Sequence, residues 1–190
     1  MKKRLFIAIK LDRSILQALV AFQTVLKTEL PYPGIRWVNP RLFHLTLQFL
    51  GDTEESKLPA LTASLLTAAR KIKPFTITFE GVGYFGSNND IRAFWVGTKP
   101  SPDLRDLFTE VINSSAFLGS GTTARFSPHI TLARGANSLT REESSHIAKN
   151  LLEKRSQEFG VTNVSSFELI ESILYQTGPV YKTLKFFDLG

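Results

Sequence analysis

The chain has no cysteine, so it can carry neither a disulfide framework nor a thiolate metal site, and it offers no thiol nucleophile. That absence points to a reducing, cytoplasmic setting. No apolar run approaches the roughly 20 residues needed to cross a bilayer, so a soluble protein with no membrane partner is expected. The opening residues Met1 to Lys10 begin like a leader. Their apolar run, Leu5 to Ile9, is short and is closed by Lys10 and Asp12, which reads as a first strand. No tract is disordered by composition, and no Pro/Ser-rich linker divides the chain. Nor do Asp, Glu and His cluster at ligand spacing. Asp52 and Glu54 fit a turn and a helix start, so no metal and no other cofactor is expected.

What is present is an ordinary globular composition: 190 residues, 43% hydrophobic and 21% charged. That is enough for one unit spanning residues 1–190 and too little for two ordinary domains. Lys and Arg exceed Asp and Glu by 23 to 17, a net +6. The resulting field favours polyanionic partners but carries weight only beside a phosphate-handling site.

Along the chain, the apolar spacing of Ile15, Leu16, Leu19, Val20, Phe22 and Leu26 predicts a helix that ends at Pro31 to Gly34. Residues 41–50 alternate as a strand that Gly51 and Asp52 should stop. A helix over 55–72 follows, then strands over 75–79 and 91–96 separated by a glycine-rich loop from Gly81 to Asn89. Helices over 102–117 and 139–157 flank a strand over 127–134, and strands over 164–175 and 180–187 close the chain. The order β-α-β-α-β-β-α-β-α-β-β predicts an α+β fold with largely antiparallel sheets and flanking helices.

Two of the three histidines stand in the pattern His-x-Thr-Leu: His44 with Thr46 and Leu47, and His129 with Thr131 and Leu132. Each falls on a predicted strand, 85 positions from the other, as a faint internal duplication. In a strand, residues i and i+2 share a face. Each motif therefore presents an imidazole beside a hydroxyl, while Leu45, Leu47, Ile130 and Leu132 anchor the other face. If the two strands lie side by side near a cleft, the four polar side chains form a symmetric ring around a phosphate. In-line displacement at phosphorus needs one group to take a proton from the attacking oxygen and another to supply one to the leaving oxygen. Histidine, titrating near neutral pH, suits both roles.

The chain resembles the 2H phosphoesterase superfamily, and within it the bacterial and archaeal RNA 2′,3′-cyclic phosphodiesterases, once described as 2′-5′ RNA ligases. Beyond the two motifs, the resemblance rests on Arg4 to Ile9, Gly34 to Val38, His44 to Gly51, Arg92 to Gly97, Phe126 to Arg134 and Tyr181 to Leu184. It implies a bilobal, pseudo-two-fold fold with a central cleft, His44 as proton donor and His129 as proton acceptor. It further implies that Thr46 and Thr131 bond the non-bridging oxygens and that Arg134 neutralises phosphate charge. Strict alternation would turn Arg134 away from His129; a bulge or strand end after Leu132, beside Gly135, would bring it round. Arg92 is a second phosphate candidate. Leu42 and Phe43 stand where family members commonly carry Asn-Leu, a change in the cleft wall. The implied substrates are RNA 3′ ends or nucleoside cyclic phosphates, cleaved to 2′-phosphates by a monomer. End-joining by the reverse reaction, another cyclic-nucleotide phosphodiesterase and a non-catalytic RNA-binding module remain as alternatives.

His146, in a charged helix, reads as a surface residue. For a base-stacking aromatic, Tyr84 or Phe85 is favoured, because Trp37 and Trp95 fit core positions better.

Overall fold

In a computed structural model, described for residues 1–119, 126–176 and 178–190, nine strands form two sheets in which every pairing is antiparallel. The chain runs β1 (Lys2–Ile9), α1 (Arg13–Glu29), β2 (Ile35–Trp37), β3 (Leu45–Glu54), α2 (Leu58–Ala69), β4 (Phe75–Ser87), β5 (Asp90–Thr98) and α3 (Pro102–Ser115). It continues through β6 (His129–Gly135), α4 (Arg141–Glu153), β7 (Glu158–Val164), β8 (Ser166–Tyr175) and β9 (Gly178–Asp188). One sheet has the order β3-β1-β8-β9 and the other β2-β6-β5-β4-β7. Without β2 the second is β6-β5-β4-β7, so each sheet places a histidine-motif strand first in an equivalent four-strand series. The expected α+β class, largely antiparallel pairing and pseudo-two-fold are all present.

Helices cover one face of each sheet. The buried residues of α1 (Ile15, Leu19, Gln23, Leu26) and α4 (Ser144, Ile147, Ala148, Leu151) recur at helical spacing. These helices pack on the five-stranded sheet, while α2 and α3 pair and cover the four-stranded one. Local signals set the helix ends: Ser101 accepts from the Leu104 amide at 3.2 Å, and Thr140 with Glu143 forms a capping box. The large core cluster joins residues of both sheets and all four helices. A smaller one, Phe6, Ala8 and Ile170 with Tyr181, lies apart from it on the other face of the four-stranded sheet.

Several expectations need correction. Gly51 does not stop β3; at φ 67° it sits in a bulge opposite Leu5 and Phe6, and the strand runs on to Glu54. The segment Gly81 to Asn89 is not a loop between strands. β4 continues to Ser87 and turns directly into β5, with Arg92 as an extra residue on β5 opposite Phe85 and Gly86 (φ 109°). β2 and β7 add to the expected strands. β2 is three residues long, and β7 buries only Phe159, Thr162 and Val164, a spacing that breaks strict alternation. Both are edge strands of the larger sheet, where little apolar pattern is required. Consequently α4 ends at Glu153, not near Gln157.

Candidate active site

His44 stands one residue before β3 rather than on it, after a 3-10 turn at Pro40–Leu42 capped by the side chain of Asn39. His129 is the first residue of β6. The two half-buried imidazoles are held alike. Nδ1 of His44 lies 2.7 Å from the carbonyl oxygen of Leu42, and Nδ1 of His129 lies 2.7 Å from that of Ser127. A carbonyl only accepts, so each Nδ1 carries the proton and donates, leaving each Nε2 available to take or give one. β3 and β6 touch, one from each sheet, and bring the motifs to a common cleft.

Aromatic rings wall both imidazoles. Phe6 and Tyr181 lie 4.9 and 5.3 Å from His44, while Phe85 and Trp95 lie 4.8 and 6.2 Å from His129, between ring centroids. Burial among them disfavours the charged form and pushes both imidazoles below their ordinary pKa. The carbonyls of Leu42 and Ser127 oppose that shift. Charge on His129 adds to the depression of His44, and the Arg134 guanidinium adds to that of His129. Charge on both rings at once is therefore disfavoured.

Thr46 and Thr131 are half-buried, and their hydroxyls have no hydrogen-bond partner among the described residues. Arg134 reaches the same side by the expected bulge. Thr131 pairs with Trp95 and Ala133 with Phe94, so Leu132 is an extra residue. Leu132 and Ala133 are both buried, and Arg134 emerges exposed, close enough to influence His129 and Tyr181 electrostatically. Arg92 is not brought to the imidazoles by any described contact; its Nε lies 3.1 Å from Asp90 beside the hairpin turn.

Of the aromatics, Phe85 is exposed at His129, whereas the Tyr84 hydroxyl bonds Asn88 within the hairpin. Trp95 is not a core residue as expected. It is only half-buried and lines the cleft, lying across Gly83, where a Cβ would collide with its ring, and Gly97, where a Cβ would make a tight contact. Trp37 does pack on the core through Phe94. His146 is exposed on α4, with its Nδ1 2.6 Å from the Tyr32 hydroxyl. Sequence reasoning gave Phe6 and Tyr181 no part in the site. Their approach to His44 follows from the strand order β3-β1-β8-β9, which no local pattern encodes. Among the described residues no group of His, Asp and Glu is placed to hold a metal ion, and no helix is long and apolar enough to cross a membrane.

A family model described as LigT like Phosphoesterase matches residues 9–95. An Archaeoglobus fulgidus protein named RNA 2′,3′-cyclic phosphodiesterase is 32% identical over 97% of this chain and 99% of its own. The chain belongs to the LigT-like phosphoesterase family. The crystal structure of a Thermus thermophilus protein superposes with a TM-score of 0.79 at 31% identity, covering 98% of this chain and 97% of the other. E. coli LigT complexed with 3′-AMP gives a TM-score of 0.79 at 26% identity, covering 100% and 99%.

Proposed function

We propose that this LigT-like phosphoesterase hydrolyses 2′,3′-cyclic phosphates, at RNA 3′ ends or on nucleosides, to 2′-phosphates, with His129 as general base and His44 as general acid. One observation carries the proposal: two imidazoles, one from each sheet, each tied through Nδ1 to the carbonyl two residues before it, with Nε2 left for chemistry. Relatives matched over nearly their whole length are named RNA 2′,3′-cyclic phosphodiesterase, which supports this substrate. In the reaction, neutral His129 takes a proton from water through Nε2 as the water oxygen bonds to phosphorus. The bond from phosphorus to the ribose 3′-oxygen breaks, and His44 Nε2–H protonates that oxygen. The proton gained by His129 and the one lost by His44 exchange with solvent to reset the pair.

Thr46 and Thr131 donate to the non-bridging oxygens, and Arg134 offsets the charge that grows there. Arg92 is left out of the reacting centre because it pairs with Asp90. The chain passes repeatedly between the sheets around a shared core, which supports one domain of two interleaved lobes spanning residues 1–190. We place it in the cytoplasm as a monomer acting on RNA ends. The test is turnover of a nucleoside 2′,3′-cyclic phosphate in EDTA. Full activity is expected; activity that appears only after Mg²⁺ or Mn²⁺ is added would contradict the proposal.

A further inference from the structure

Arg134 faces the cleft only because β6 carries one extra residue. Up to Thr131 the strand alternates, with His129 and Thr131 toward the cleft and Ile130 and Leu132 toward the core. An unbroken strand would send residue 134 to the core side with Leu132. The bulge at Leu132 resets the parity. A bulge interrupts ladder hydrogen bonding and needs other partners for the groups around it.

For the Leu132 carbonyl those partners are the backbone after β2 and a side chain of α1. The regular β2–β6 ladder ends where Trp37 pairs with Ala133. Beyond it, the Leu132 carbonyl accepts from the Val38 amide at 2.9 Å and from Nε2 of Gln23 at 3.0 Å. The same Nε2 donates its second proton to the Val38 carbonyl at 2.8 Å. Gln23 is 1% exposed and stands on the buried stripe of α1 with Ile15, Leu19 and Leu26. An amide at such a position is costly unless satisfied, and here both protons go to the backbone at the bulge.

We propose that Gln23 is a positioning residue for Arg134: its amide clamps Val38 and the bulged Leu132, and thereby sets the face of β6 on which the guanidinium stands. The inference rests on the assignment of Arg134 to the phosphate. Gln23→Met keeps the unbranched shape and removes both donors. It should lower kcat/KM by about 10- to 100-fold, the scale expected when a charged group is misplaced by about 1 Å. It should also move the acid limb of the pH profile in the same direction as Arg134→Gln. The deciding measurement is a double-mutant cycle: in an Arg134→Gln background, Gln23→Met should cost no more than about twofold in kcat/KM, because the group it positions is gone.

A merely structural role would lower the melting temperature alike in both backgrounds and leave kcat/KM and the acid limb of Gln23→Met at wild-type values; that result overturns the inference. An equal loss of kcat/KM in both backgrounds overturns it as well. If Gln23→Met does not fold, Gln23→Asn, with both donors one methylene short, should show the same coupling at smaller size, and additive losses would again refute it. Should Arg134→Gln itself retain full activity, the phosphate assignment fails and this inference falls with it. Wild-type behaviour of Gln23→Met beside an impaired Arg134→Gln removes the inference alone.

Discussion

Replacing Gly83 by alanine tests whether the wall of the His129 pocket is as tightly set as the geometry requires. Gly83 pairs across the ladder with Trp95, and a Cβ at residue 83 would lie 2.5 Å from Cζ2 and 2.6 Å from Cη2 of the indole. Carbon atoms rest about 3.5 Å apart, so the ring must move by about 1 Å. The same ring extends over Gly97, where a Cβ would come within 3.1 Å of Cζ3, and Phe85 lies 5.6 Å away between ring centroids. Residue 83 does not adopt a positive φ, so alanine introduces no backbone strain and the effect is steric alone. Overpacking of this kind costs about 1–3 kcal/mol. For a chain of this length that is a fall in Tm of about 2–12 °C at about 2–4 °C per kcal/mol. Since the displaced ring borders His129, kcat/KM should fall by up to about 100-fold under conditions where the protein is fully folded. Trp95→Phe removes both clashing atoms and should restore Tm in the Gly83→Ala background. Thermal melts and steady-state kinetics on the four proteins check this. A Gly83→Ala variant with wild-type Tm and kcat/KM, or a double variant no better than Gly83→Ala alone, would refute it.

His44→Ala and His129→Ala should each lower kcat by about 10²- to 10⁴-fold with the fold retained by circular dichroism, whereas His146→Ala, which loses only the contact to Tyr32, should keep wild-type kcat. Thr46→Ala and Thr131→Ala should cost less than either catalytic histidine, since each removes one donor and no proton-transfer group; a threonine variant more damaged than His44→Ala would reverse the assignment. The profile of kcat/KM against pH should be bell-shaped, because one imidazole must be neutral and the other charged. Burial lowers both pKa values, so its maximum should lie on the acid side of that for two exposed imidazoles. Arg134→Gln removes a positive charge that depresses His129, so that group should protonate at higher pH and the acid limb should move upward as kcat/KM falls; a limb that stays in place would separate Arg134 from His129.

Local pattern carried much of this into the sequence. The pairing of each histidine with a threonine two positions on announces a shared face, and the parity conflict at Arg134 calls for a bulge or a strand end after Leu132, of which the structure has the bulge. Antiparallel sheets were legible from short alternating segments bounded by turn residues. What failed was wherever meaning depended on a neighbour distant in sequence. Glycines 51, 81 and 86 signal a break, but each stands at a register shift between antiparallel strands, where the strand bends without ending. β7 is an edge whose few buried side chains give no period, and Trp95 reads as core in sequence because nothing local shows that Gly83 and Gly97 leave room for its ring on the face that carries His129. Gln23 sits at helical spacing in an apolar stripe, where a polar residue gives no hint that two carbonyls await it. Phe6 and Tyr181 reach His44 through strand order alone.

The central claim is a division of labour: His129 activates water and His44 protonates the departing ribose 3′-oxygen. Phosphorus NMR of the product formed from a nucleoside 2′,3′-cyclic phosphate, against authentic 2′- and 3′-nucleotides, tests it most directly. The account predicts the 2′-phosphate with a free 3′-hydroxyl as the single product. A predominant 3′-phosphate would show that the 2′-oxygen leaves instead, contradicting the orientation in which His44 faces the 3′-oxygen.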